Sequence, residues 1–299
     1  MPTSIKLSTN NRIDIVYLFD VRDGNPNGDP DAGNAPRTDP ETGQGLVSDV
    51  ALKRKIRDYV AAAKSGSKGY QIYIKLHSAL YEQRIPAYKA LKIEEGKKGK
   101  DKAKDIERAR KWMCENYFDV RAFGAVMSVT DFNCGQVRGP LQLTFSRSID
   151  PIAELEQAIV RKAVEREDAD KQLAKDGFIT GTFGRKSIVP YALYQASLFF
   201  NPFFASDTGF NDEDMTLTLE ALQKMFEIDR SAARGQMSAK GLIVFEHSSP
   251  LGNAPADKLF ARVDVHRKDE GKPARSFKDY IIEVNDKGLP GGIRLHRLI

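Results

Sequence analysis

Apolar and polar positions change period several times along the chain, and each change predicts an element. In RIDIVYLFDVRDG, Ile13, Ile15, Tyr17 and Phe19 point one way and Val16 and Leu18 the other. Both faces are apolar, which is the signature of a strand buried inside a sheet. The period turns helical in LVSDVALKRKIRDYVAAAKSGSKG, where Leu52, Ile56, Tyr59, Val60 and Ala63 form one stripe. Ser48 stands at the N-cap position and Asp49 puts a negative charge in the first turn, where the helix dipole favours it. Lys53, Arg57 and Lys64 share a neighbouring flank.

Residues 65–118 read differently. Short apolar pieces (YQIYIKLHSALYEQ) lead into KALKIEEGKKGKDKAKDIERARKWMCENY, a lysine-dense and mostly helical insertion with a solvated loop around residues 96–99. FDVRAFGAVMSV and GPLQLTFSRSI read as β-rich runs. A charged, weakly amphipathic stretch, residues 150–177, precedes FITGTFGRKSIVPYALYQASLFFNPFF. NDEDMTLTLEALQKMFEIDRSAARG carries a capping Asn211 or Asp212, acids in its first turn and Gly235 as its end, and so predicts a helix. KGLIVFEH, DKLFARVDVH and KDYIIEVND read as strands. The order is that of an α+β protein with a βαββαβ, ferredoxin-like sheet, widened by insertions at 65–118 and 148–185.

The 299 residues are long enough for a proper core, and 46 Lys+Arg against 41 Asp+Glu leave a mild excess of +5. That excess permits nucleic-acid binding without demonstrating it, because distribution matters more than the sum. Cys114 and Cys134 match no disulfide framework or metal spacing, which fits a reducing cytoplasm. No run reaches the length of a membrane span, and MPTSIKLSTNN has no apolar signal region. His77, His247, His266 and His296 are isolated from one another in sequence.

Between the first strand and the first helix lies DVRDGNPNGDPDAGNAPRTDPETGQG. Asp23, Asn25, Asn27 and Gly28 match the opening of a calcium loop, with Asp29 and Asp31 at its seventh and ninth positions. The twelfth position is Asn34 instead of a bidentate glutamate, Pro26 and Pro30 stiffen the loop, and a strand precedes it where a helix is required. Turn chemistry explains the same residues better. The helix after it packs four cations into Lys53–Arg57, at a helix start where hydroxyl and backbone amides suit phosphate, with Arg37 and Thr38 in the adjoining loop. GTFGRKS, residues 181–187, is read in two ways: a glycine-rich loop bringing Arg185 and Lys186 to a phosphate backbone, or a hairpin turn with exposed cations. The aromatic strand signature of RNA-recognition sheets is absent.

DGNPNGDPDAGNAPRTDPETGQGLVSDVALKRKIRDYV closely resembles the N-terminal signature of the guide-RNA-binding backbone subunit of type I-C CRISPR Cascade complexes, a RAMP-superfamily protein. GTFGRKSIVPYALYQASLFFNP and ALQKMFEIDRSAARGQMSAKGLIVFEH resemble the same family. The resemblance implies an RRM-like palm (1–64, 119–147 and 187–299), helical fingers (65–118) and a thumb-like hairpin within 148–186. It also implies a non-catalytic subunit, without metal or cofactor, that oligomerises along the CRISPR guide RNA. Its partners would be that RNA, the target DNA strand, further copies of itself, and the guide-processing end-cap and large subunits, all in the cytoplasm. Ser48, Lys53 and Arg54 match the family's palm element for the RNA backbone, and Arg37 its basic loop residue. Thr38 and Arg57 join that set by position. Arg22, Arg138, Arg147, Arg185 and Lys186 are further expected contacts to RNA or to the displaced DNA strand, and lysines 97, 98, 100, 102 and 104 are offered to DNA or to solvent. The competing class is a RAMP-like metal-dependent endoribonuclease working through Asp23, Asp29 and Asp31.

Overall fold

The structure, a computed structural model, describes residues 5–94, 100–161 and 182–299. Its centre is the predicted first strand, β1 (Ile13–Gly24), whose residues 13–21 are all buried. Apolar side chains on both faces require cover on both sides, and the fold supplies it. Two long strands flank β1 antiparallel: β10 (Thr182–Phe200), with Ile13 opposite Phe200 and Gly24 opposite Val189, and β11 (Gln236–His247). A bulge between Leu18 and Phe19 shifts the β11 register past Lys240. The short strands β4 (Gln44–Val47), β7 (Leu141–Leu143), β8 (Ser146–Pro151) and β14 (Ile293–Arg297) complete the sheet, in the order β14-β11-β1-β10-β8-β4 with β7 also on β10. The protein is thus a mixed α+β fold around a central antiparallel sheet.

On one face Ile15, Tyr17, Phe19 and Val21 meet two helices, α1 (Asp49–Ala63) and α6 (Asp212–Ile228). Phe19 stacks on Tyr194 at 5.4 Å and leans on Phe226 at 5.4 Å, while the Tyr17 hydroxyl donates to the Leu222 carbonyl at 2.6 Å. Each such ring, fully removed from water, contributes about 2–3 kcal/mol. On the other face Val16, Leu18, Leu193 and Phe245 are covered by the C-terminal segment: α7 (Ala256–Phe260) and the hairpin of β12 (Val263–Arg267) and β13 (Tyr280–Val284). The Tyr280 hydroxyl donates to Asp150 at 2.6 Å and anchors that cover.

A second cluster gathers Tyr73, Tyr88, Met113, Tyr117, Met127, Cys134 and Val137. It lies among α2 (Leu80–Leu91), α3 (Lys100–Asn116), α4 (Phe118–Phe123) and the hairpin of β5 (Gly124–Met127) and β6 (Gly135–Arg138). Two buried ion pairs join it to the sheet layer. Asp119 accepts from Arg57 Nε at 2.8 Å and from the amides of Tyr73 and Ile74 at 2.8 and 3.0 Å. Arg121 grips Asp214 bidentately at 2.8 and 2.7 Å and also donates to the Gly69 carbonyl.

Several expectations need correction. FDVRAF is the helix α4, because Phe118, Val120, Ala122 and Phe123 are buried all round it and periodicity cannot separate a short buried helix from a buried strand. The strand that follows, β5, joins the second cluster and pairs with β6 outside the central sheet. DKLFARVDVH divides into α7 and β12. The last long helix stops at Ile228, so Gly235 belongs to a separate loop. GTFGRKS forms neither loop nor turn from Thr182 onward: Thr182–Ile188 pair antiparallel with Arg161–Leu155 of β9 (Leu155–Arg161) in a projecting two-stranded arm. The solvated loop expected at 96–99 and the middle of the expected thumb, 162–181, lie outside the described residues.

Asp119→Ala strands the Arg57 guanidinium and two amides in a buried site. The expected loss is about 3–5 kcal/mol of unfolding free energy, measured by urea denaturation.

Candidate nucleic-acid interface

The loop after β1 is built by side chains that stand in for backbone partners. Asn25 Nδ2 donates to the Asn34 carbonyl at 2.7 Å, and Asn27 Oδ1 accepts from the Ser48 amide at 2.9 Å, tying the loop to the start of α1. Asp29 accepts from the Asp31 amide at 3.2 Å and faces Arg37 at 3.6 Å. Asp39 accepts from the Glu41 amide at 3.0 Å and from Arg147 at 2.6 Å, and those bonds, Arg147 foremost, hold its carboxyl below the usual range. Asp29 and Asp39 therefore form turns and hold cations. Among the described residues no three His, Cys, Asp or Glu side chains converge on one point.

Ser48 is the N-cap of α1, accepting from the Ala51 amide at 3.3 Å. About two turns later the helix meets the loop between α6 and β11. Asp229 there receives the buried Lys55 ammonium and Arg234 Nη1, the latter at 2.7 Å. Burial pushes the Lys55 ammonium below its ordinary value, and the Asp229 contact opposes that shift. The Asn25 amide donates to the Ala233 carbonyl at 2.8 Å, and Lys186 donates to the Ala232 carbonyl. Between these walls lies a cleft of about 330 Å³, lined by Asn27, Gly28, Arg54, Lys55, Ser231 and Arg234 among others.

The expected contact residues separate into groups. Arg54 lines this cleft; Arg37 and Ser48 adjoin it through backbone amides that donate to Asn27, and Lys186 through the Ala232 carbonyl, while Thr38 pairs with Gly45. Arg54 is 47% exposed and reaches Asp58 at 3.5 Å. Arg22 is exposed and donates to the Arg275 carbonyl at 3.4 Å. Arg185 stands 81% exposed on the arm and pairs diagonally with Glu156 at 3.0 Å. Arg147 reaches this group through Asp39. Lys53 is more enclosed, held by Asp49 at 3.0 Å over the Phe123 ring.

Two residues depart from the set. Arg57 is buried on Asp119 and over Phe123, so its charge serves the junction described above. Arg138 lies near the opposite end of the sheet, about 35 Å along β10 at strand rise, with its guanidinium 4.4 Å from the centre of the Phe204 ring. Lys102 and Lys104 are exposed on α3; Lys97, Lys98 and the side chain of Lys100 fall outside the described residues. Ser231 and Arg234 were missed by sequence reasoning. Their only signal was two arginines around Ser-Ala-Ala before a glycine, which read as the tail of a helix.

The structure thus sets Arg54, Lys55 and Arg234 around a cleft at one end of the antiparallel sheet of a mixed α+β fold. Residues 11–285 match the family described as CRISPR-associated protein Cas7, and the chain belongs to that family. A CRISPR-associated protein Cas7 from Haloferax volcanii is 29% identical over 166 residues, 50% of this chain and 47% of the relative. The match thus spans about half the length of that curated relative. A chain of a solved "CRISPR RNA-guided surveillance complex, pre-nicking" superimposes with a TM-score of 0.52 over 79% of this chain and 78% of its own, at 13% identity, and so shares the fold. No described helix is long and apolar enough to cross a membrane.

The cleft requires β1 and β11 to approach backbone to backbone. Gly235 has φ +60°, and a Cβ there runs into the carbonyls of Arg22 and Asp23. Gly235→Ala is therefore expected to cost about 2 kcal/mol or more, read by urea denaturation, and to raise amide exchange across residues 229–236.

Proposed function

We propose that this chain is a non-catalytic, guide-RNA-binding backbone subunit of a type I-C CRISPR surveillance complex, and that the cleft end of its sheet carries the phosphate backbone of the guide. The observation that carries the reading is the convergence of Arg54, Lys55 and Arg234 on one cleft beside the Ser48-capped start of α1, in a chain that belongs to the Cas7 family. A guide must vary in sequence, so a surface of cations and amides is the chemistry such a subunit needs, with sequence read by base pairing. The cover over the second face of β1 supports a backbone-reading role in the same way, since Val16, Leu18, Leu193 and Phe245 are packed under it and not open to stacked bases.

The sheet supports a ferredoxin-like, RRM-like palm. β1, α1, β8, β10, α6 and β11 follow in βαββαβ order, with β11 and β10 on either side of β1 and β8 beyond β10. The fingers are the second cluster, extended to include β5 and β6, and the thumb is the arm of β9 and the first part of β10. Copies would stack along the RNA with these arms reaching neighbours, beside the end-cap and large subunits, and present the bases to target DNA in the cytoplasm. The nuclease alternative needs a positioned base or metal. Asp29 is engaged with Arg37 and the Asp31 amide, which counts against it as a ligand.

Arg37→Glu with Arg54→Glu is expected to abolish co-purification of guide RNA while the folded protein is retained. Unchanged RNA content defeats the interface assigned here. Incubation of the ribonucleoprotein with guide precursor or target RNA and Mg²⁺ is expected to give no cutting; cutting that Asp23→Ala removes would establish the nuclease instead.

A further inference from the structure

Asp229 lies outside the polar lining of the cleft but holds two of the cations in it. The side chains of Asp229 and Lys55 are only 9% and 4% exposed, and their ion pair joins the end of α6 to the middle of α1. The other carboxylate oxygen takes Arg234 Nη1 at 2.7 Å, and that arginine is 24% exposed. Arg234 is thus fixed on its inner edge while the rest of its guanidinium faces the cleft, with Ser231 beside it and Arg54 on the opposite wall. The Ser231 hydroxyl also accepts from the Arg234 amide at 3.3 Å, so the turn carrying both is closed on itself. The Ala232 and Ala233 carbonyls are taken by Lys186 and the Asn25 amide, which ties the same turn to the root of the arm and to the acidic loop.

We infer that Arg234 and Ser231 form a second phosphate-gripping wall facing Arg54, and that Asp229, clamped by Lys55, is a positioning residue for Arg234. The inference rests on the RNA-binding reading above and adds to it a wall that sequence resemblance did not assign. A guanidinium held by a carboxylate on one edge keeps free N–H donors on the other. Because its rotamer is already fixed, little entropy is lost when a phosphate arrives. The two walls come from α1 and from a loop that follows α6, so a phosphate between them bridges the two helices of the layer.

The test measures binding of a fluorescein-labelled, mixed-sequence single-stranded RNA by anisotropy across a salt series, on the purified chain. Arg234→Ala is expected to weaken binding on the order of tenfold and to lower the salt slope by about one. Asp229→Asn paired with Lys55→Met removes the clamp without stranding a buried ammonium, and is expected to weaken binding several-fold. In the Arg234→Ala background that pair is expected to weaken RNA binding by a clearly smaller factor while still lowering the melting temperature, because most of its effect on RNA passes through Arg234. Equal RNA losses in both backgrounds, or none from Arg234→Ala, overturn the inference. If Arg37→Glu with Arg54→Glu abolishes binding while Arg234→Ala binds as the parent does, the RNA-binding reading stands and only the second wall falls. If the parent chain binds no RNA, both fall.

Discussion

The Asp119 carboxylate is the contact on which the architecture turns. A fully buried charge is tolerable only when its lone pairs are all engaged, and here they are taken by Arg57 from α1 and by two consecutive amides, Tyr73 and Ile74. Those three donors come from parts of the chain that share no sheet. The acceptor sits on a six-residue helix, α4, too short to hold its own shape. Two residues on, Arg121 closes a matching pair with Asp214, itself part of the capping box that starts α6. Asp119 and Arg121 thus orient the second cluster against the helix layer, and the helix layer in turn sets where α1 begins and what its N-terminus faces.

The cleft end is electrostatically balanced before any ligand arrives. Arg37 faces Asp29, Arg54 faces Asp58, Arg147 faces Asp39 and Arg234 faces Asp229. The first three pairs are the more exposed and contribute about 0–1 kcal/mol each, so those carboxylates can be displaced or shared at small cost, whereas Asp229 is nearly buried on Lys55 and stays in place. What the acids supply is order, since each limits the rotamers of a long side chain that would otherwise be frozen at the moment of binding. An acidic loop beside a basic helix is therefore compatible with a polyanion partner, and the mild net charge of the whole chain conceals a local arrangement.

Elements with a pure period were legible in the sequence. β1 showed itself by apolar residues on both faces, α1 by its stripe and Ser48 cap, and α6 by Asn211 and the acids after it. Where two periods fit, as in FDVRAF, the deciding facts were tertiary: Asp119 and Arg121 need the helical spacing to reach Arg57 and Asp214. The same distance in sequence hid the site. Arg57 was taken for a surface cation because its partner is 62 residues away, and the Ser231–Arg234 turn was taken for the last turn of a helix ending at Gly235 because Lys55, Asn25 and Lys186 hold it from afar. Arg138 looked equivalent to the other arginines until β10 set it at the far end of the sheet. The family signature led to the correct helix start but carried no information on which of its cations face inward.

The sheet has one further consequence, for synthesis. β1 is translated first among the three central strands, yet it pairs with β10 and β11, which follow after more than 150 and 200 residues respectively. Throughout that interval a strand with apolar side chains on both faces has neither neighbour, and the C-terminal cover for its second face is made later still. Contacts of such long range fold slowly and leave unpaired strand edges open to association. The charges toward its two ends, Arg12 and Asp14 at the start and Asp20, Arg22 and Asp23 at the finish, are of the kind that opposes such edge-to-edge association while a strand is unpaired.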